Sequence, residues 1–197
     1  MNKLYLIRHA ESTSNLYKKI YKQSGYIIPE SDIIYEDALL SINGIEQIIN
    51  NRTFFEKIIN ENKIDYIFCS TMRRSIQTCL LTFNKINLSE LNKTVFCTSL
   101  LNEFGDSIEN TNKSIDVINS DPNIFCYTNF KQLDYDTYKS YNGKFKKNDI
   151  NKRVNEFCKL INEFFYDKSI LVFTHWGFII TLTNKTINNY ECIECII

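Results

Sequence analysis

Histidine occurs only twice in this 197-residue chain, and each directly follows a short apolar run. The first run ends in Leu6-Ile7-Arg8-His9-Ala10-Glu11, the second in Val172-Phe173-Thr174-His175-Trp176-Gly177. Arginine is scarce as well, five against 18 lysines, yet Arg8 abuts His9 and Arg73 and Arg74 follow a third run in Cys69-Ser70-Thr71-Met72-Arg73-Arg74. A fourth run leads into Leu100-Leu101-Asn102-Glu103. Guanidinium forks match phosphate oxygens in a bidentate way that an ammonium cannot. A neutral imidazole can attack phosphorus and split one hard displacement into two easier ones. Cations around it stabilise the equatorial oxygens, while a carboxylic acid protonates the leaving alkoxide and later activates water. Taken singly, a histidine after a strand is more often a surface or capping residue, and Arg73-Arg74 a solvated helix face. Taken together, these residue types read as a phosphate pocket. With no metal-ligand motif and no glycine-rich phosphate loop, the positive charge is expected from side chains, without metal or cofactor.

The elements that would hold these residues can be read from the apolar pattern. Lys3–Arg8, Asp65–Cys69, Thr94–Thr98 and Ser169–Thr174 have the length and the Ile, Val, Phe and Tyr content of strands buried on both faces. Helical spacing joins Ile45, Ile48, Ile49, Phe55, Ile58 and Ile59, then Ile76, Leu80 and Phe83, then Val154, Phe157, Ile161 and Phe164. The alternation predicts an α/β fold: one domain over 1–197, a three-layer sandwich with a mainly parallel central sheet and helices on both faces. Tyr190–Ile197 is a candidate last edge strand. Two stretches break the alternation. Residues 16–36 read as one insertion, and the Asn-rich, aromatic 104–147 as a second, helical or irregular, capping the active-site edge. In such a sheet, ligands bind beyond the carboxyl ends of the strands, where helix N-termini also favour an anion.

Composition narrows the partners. Lysine plus arginine equals aspartate plus glutamate at 23 each, so the formal net charge is zero. That argues against a nucleic-acid or anionic-membrane surface and leaves a small phosphorylated substrate as the expected ligand. The apolar run at the N-terminus is too short for a signal peptide, and no segment approaches a membrane span, so a cytoplasmic protein is expected. Seven cysteines without framework spacing suggest reduced, mostly buried thiols, and Cys192-Ile193-Glu194-Cys195 lacks the second ligand pair of a zinc site.

In these residues the sequence resembles the histidine phosphatase superfamily, the phosphoglycerate mutase-like fold. Arg8-His9-Ala10-Glu11-Ser12-x-x-Asn15 matches its N-terminal signature. Asp37-x-x-Leu40-Ser41-x-x-Gly44-x-x-Gln47 and Ser70-x-x-x-Arg74-x-x-Gln77-Thr78 resemble its second and third blocks. Leu101-x-Glu103 matches the acid-bearing segment, Thr174-His175-Trp176-Gly177 the C-terminal His-Gly motif, and Asn189-Tyr190-Glu191 the closing strand. The resemblance implies that His9 takes the phosphoryl group, that Arg8, Arg74 and His175 hold it with Asn15 as a supporting donor, and that Glu103 is the proton donor. By this register Arg74, not Arg73, is the phosphate ligand.

Some features depart from the family pattern. The second Glu-Gly that often follows the acid is absent from Phe104-Gly105-Asp106-Ser107, which makes Asp106 and Glu109 the alternative carboxylates. The segment after Glu103 lacks the basic cluster expected for a bisphosphorylated sugar acid, and Arg73, Lys18 and Lys22 read as solvated or as reaching a distal acidic group. A protein-tyrosine-type phosphatase would need arginine six residues after cysteine, where Cys69 has Ser75. Asp134-Tyr135-Asp136-Thr137 resembles an aspartyl phosphatase motif but lies in the insertion. The expected function is phosphomonoester hydrolysis through a phosphohistidine. The alternatives are mutase-type phosphoryl transfer, which needs a closing lid, and a non-catalytic phosphate-binding module, which would normally have lost the nucleophile or the acid.

Overall fold

The computed structural model describes residues 1–25, 36–61, 63–105, 107–137 and 149–197. Six strands form one sheet: β1 (Lys3–Arg8), β2 (Tyr66–Cys69), β3 (Val95–Cys97), β4 (Leu133–Asp134), β5 (Ser169–Thr174) and β6 (Cys192–Ile196). Their spatial order is β4-β3-β2-β5-β1-β6. All neighbours pair in parallel except β6, which runs antiparallel to β1. The register aligns Arg8 with Thr174, Phe173 with Cys69, and Cys69 with Cys97. Four strands therefore end together, and the residues just beyond them share one edge.

Alternation along the strands explains why both faces are covered. Tyr5, Ile7, Ile67, Cys69, Leu171 and Phe173 face one way, against Ile48 and Phe55 of α2 (Ile42–Glu61) and Ile76 and Leu80 of α3 (Arg73–Thr82). Leu4, Leu6, Phe68, Ile170 and Val172 face the other, against Val154, Phe157 and Ile161 of α6 (Ile150–Phe164) and Phe178 of α7 (Trp176–Thr183). Phe157 meets Phe68 and Phe178 edge-on, each at 5.6 Å between ring centres, a favourable aromatic geometry. No helix among the described residues is long and apolar enough to cross a membrane.

The insertions differ from expectation. The start of the first is simply helix: α1 (Thr13–Ser24) continues the His9 loop, capped at Ser12 and closed by Gly25 in the left-handed region. Residues 26–35, 106 and 138–147 of the expected insertions lie outside the described residues. The second carries α4 (Ile115–Asn119) and α5 (Pro122–Phe125), as a helical insertion should. It also supplies β4, whose Leu133 and Asp134 pair with Val95 and Phe96, so part of it extends the sheet rather than capping it. Two residues are too few for a period-2 pattern, and this edge had no sequence signal. The closing segment does form an edge strand. Cys192 packs on one face of β6 and Cys195 on the other, so the C-x-x-C pair cannot share a ligand.

Candidate active site

The pocket is built from residues just beyond the strand ends. His9 and His175 come after β1 and β5, and their ring centres lie 4.9 Å apart. Arg74, in the first turn of α3, donates from Nε to His9 Nε2 at 3.3 Å. Arg8 closes β1 and contributes a nearby positive charge to both histidines. The structure thus brings together all four expected phosphate-pocket residues.

The loop after β1 is held at nearly every backbone group. His9 N–H donates to Thr174 O at 2.9 Å, Ala10 N–H to Thr78 Oγ1 at 3.1 Å, and Glu11 N–H to Gln47 Oε1 at 2.9 Å. Tyr190 N–H and Asn189 Nδ2 donate to the carbonyls of Arg8 and His9 at 3.0 and 2.9 Å. Ser41 donates its hydroxyl to Glu11 Oε1, and α2 packs so closely that a Cβ on Gly44 would overlap the Glu11 carbonyl. Gln77 Oε1 accepts Leu40 N–H, which ties the second sequence block to the third. These blocks work as a clamp around the loop that carries His9.

Within that clamp His9 has a defined proton. Its Nδ1 lies 2.7 Å from the Ala10 carbonyl, which can only accept, so Nδ1 carries the hydrogen and Nε2 a lone pair. Burial, with Arg74 and Arg8 alongside, pushes the imidazole well below its usual pKa, against the pull of the Ala10 carbonyl. His175 is likewise held low, by burial first and then by the positive charges of Arg74, Arg153 and Arg8. Its Nε2 lies 2.7 Å from Ser70 Oγ, and its buried Nδ1 has no hydrogen-bond partner among the described residues. His9 and Arg74 are 3% exposed and His175 0%, so all three side chains sit away from bulk water.

The arginines are anchored at their far ends. Arg8 donates from Nη1 to Ile187 O at 2.9 Å, and its Nε is buried without a partner among the described residues. Arg74 donates from Nη1 to Glu109 O at 2.8 Å and from Nη2 to Asn110 Oδ1 at 3.1 Å. Burial lowers both guanidinium pKa values, and a guanidinium keeps its charge inside a protein. Glu103 accepts from Gly177 N–H and Phe104 N–H, each at 3.2 Å. A side chain at Gly177 would overlap the Glu103 carboxyl, so this glycine lets the acid-bearing turn lie on the start of α7.

The remaining candidates separate. Asn15 Oδ1 accepts Ser12 N–H at 3.2 Å in a capping box, which leaves its amide N–H groups as the donors it could offer a ligand. Arg73 is structural rather than solvated: it donates to Asp37 O at 2.8 Å and to Asp121 Oδ2 at 2.6 Å. Lys18 is not merely solvated either, since it pairs with Glu109 and ties α1 to the insertion. Burial raises the Glu109 carboxyl, but Lys18, a backbone hydrogen bond and Arg74 together hold the pKa below the usual value. Glu109 is therefore a poor substitute acid, Lys22 is exposed, and Asp106 lies outside the described residues. Sequence reasoning passed over Arg153. It lies among the apolar positions of α6 and donates to the carbonyls of Leu100 and Asn102 at 3.2 and 2.6 Å, bracing the turn that carries Glu103. An arginine inside an apolar helical stripe was the available signal.

Comparison with known proteins bears on the family and the fold. The family model described as histidine phosphatase superfamily (branch 1) matches residues 4–190. Among curated protein sequences none matches the chain. Several solved structures share the fold. The alpha-ribazole phosphatase of Shigella flexneri is 24% identical with a TM-score of 0.51, over 90% of this chain and 75% of that one. The phosphoserine phosphatase of Entamoeba histolytica, solved with 3-phosphoglyceric acid, is 21% identical with a TM-score of 0.55, over 100% and 91%. A mycobacterial glucosyl-3-phosphoglycerate phosphatase is 15% identical with a TM-score of 0.57, over 98% and 92%.

Proposed function

The chain belongs to the histidine phosphatase superfamily, and on that premise we propose that it hydrolyses the phosphomonoester of a small metabolite through a phosphohistidine at His9. The observation that carries this reading is the proton placement on His9, whose Nδ1–H is fixed on the Ala10 carbonyl while the neutral, buried ring keeps a lone pair on Nε2. An arriving phosphoryl group takes over the Arg74 N–H groups now given to His9 Nε2, Glu109 O and Asn110 Oδ1, which frees the nucleophile as it binds the substrate. Nε2 attacks phosphorus in line with the ester oxygen. Arg8, Arg74 and His175 stabilise the equatorial oxygens, with the Asn15 amide as a further donor. Glu103 gives its proton to the leaving oxygen, then takes one from the water that cleaves the phosphohistidine. The neighbours named as phosphatases of ribazole phosphate, phosphoserine and glucosylphosphoglycerate support hydrolysis of a small phosphorylated compound.

Brief incubation with a fast substrate and an alkaline quench should leave a base-stable, acid-labile phosphate on His9. His9→Ala should abolish both label and turnover in a protein that still unfolds cooperatively. Label on Cys69, or turnover that survives His9→Ala, would overturn the assignment.

A further inference from the structure

Resting on the phosphatase reading of this pocket, we propose that Ser70 and Asn102 are positioning residues that fix the proton of His175 on Nε2, so that the ring meets a phosphate ester as a proton acceptor at Nδ1. Counting donors places the proton. The backbone N–H of Thr71 can only donate, and it lies 3.0 Å from Asn102 Oδ1, which fixes the amide orientation. Ser70 Oγ is 2.6 Å from the same oxygen, which has no hydrogen to give, so the single hydroxyl proton of Ser70 goes there. Met72 N–H donates to Ser70 Oγ at 3.2 Å and occupies one lone pair. Only one lone pair then remains for His175 Nε2 at 2.7 Å, and that contact is a hydrogen bond only if Nε2 carries the hydrogen. The ring is neutral in this buried, cationic setting, so Nδ1 is a bare lone pair, and it is the nitrogen with no partner among the described residues.

A bare lone pair repels a phosphate dianion but suits a monoanion. When the ester binds as its monoanion, the P–OH bond to hydrogen breaks and an Nδ1–H bond forms. A neutral imidazole and a singly charged phosphate become an imidazolium and a dianion. Both imidazolium N–H groups are then satisfied, one by Ser70 and one by a phosphoryl oxygen. The charged groups around His175 are Arg74, Arg153 and Arg8, with His9 neutral beside it and Glu103 at the start of α7. Three positive neighbours resist an imidazolium, and the dianion formed in the same step compensates. His9 has the opposite arrangement, with hydrogen on Nδ1 and lone pair on Nε2.

Nitrogen NMR of histidine-labelled protein, with inorganic phosphate as the probe, tests this. The wild type without phosphate should show His175 protonated at Nε2 alone, and saturating phosphate should leave both nitrogens protonated. Above the second pKa of the ligand, phosphate affinity should weaken about tenfold per pH unit, as uptake of one proton requires. Ser70→Ala should mix the two tautomers and flatten that slope, whereas Ser70→Thr, which keeps the hydroxyl, should restore it. An Nδ1–H tautomer in the wild type, or a His175 that stays neutral while His9 responds to phosphate, overturns the inference and leaves the phosphatase reading intact. No response at either histidine would remove both.

Discussion

In the proposed mechanism two imidazoles whose ring centres are 4.9 Å apart divide the work, because different neighbours hold their protons in different places. The Ala10 carbonyl leaves His9 with a nucleophilic Nε2, while the pair Ser70–Asn102 leaves His175 with a basic Nδ1. In the proposed mechanism the third participant, Glu103, differs in kind, since it would act on the leaving group and not on the phosphoryl oxygens. That difference is measurable. An alkoxide leaves only with a proton, whereas a nitrophenolate leaves unaided. Glu103→Gln should slow alkyl phosphates by about 10²–10⁴-fold and change nitrophenyl phosphate little. Arg74→Ala should slow both, because it removes a fork from the phosphoryl group itself. Equal losses in Glu103→Gln would make Glu103 a positional group, and a steady-state comparison of the two substrate classes decides it.

The reactive residues are precise only because helix ends are seated against them. Among the glycines, Gly44 and Gly25 show the difference between an end that supports the site and one that does not. Gly44 lies in the first turn of α2 directly on the Glu11 carbonyl, where a methyl group has no room. Gly25 closes α1 at φ +76°, and a Cβ added there would meet nothing within 4 Å. Gly44→Ala should cost about 1–3 kcal/mol through overpacking and should also lower kcat, because the helix or the His9 loop must shift. Gly25→Ala should cost about 1 kcal/mol through left-handed backbone strain and leave kcat unchanged. Chemical denaturation together with turnover separates the two cases. Unchanged kcat in a destabilised Gly44→Ala would mean that the clamp around His9 is looser than its hydrogen bonds imply.

At the scale of the whole molecule, the parallel sheet was readable because its strands are buried on both faces and so appear as unbroken apolar runs. The pocket was readable because scarce residue types, two histidines and three of five arginines, follow those runs. Arg153, Ser70 and Asn102 were not assigned, since their value depends on partners far away in sequence: Ser70 and Asn102 are 32 residues apart, and Ser70 and His175 are 105 apart. Burying both histidines neutral has a consequence for the entire fold. In the unfolded chain each titrates near ~6.5, while in the folded one each lies well below that. The stability they contribute is complete above the unfolded value and is lost as pH falls towards the folded values, by up to about 1.4 kcal/mol per histidine per pH unit. Asp37 acts in the opposite sense: burial raises its carboxyl to about 6, so its contribution is present at low pH and is lost as pH rises through 6. Below pH 6 one aspartate opposes two histidines, so acidification from neutral pH brings a net loss on the order of one histidine's worth. Denaturant midpoints of the wild type should therefore fall between pH 7 and 5. In the His9→Gln, His175→Gln double variant the same midpoints should hold or rise, because Asp37 then dominates. A wild-type midpoint that is flat across this window would show that the histidines are charged in the fold, and would remove the neutral nucleophile from the mechanism.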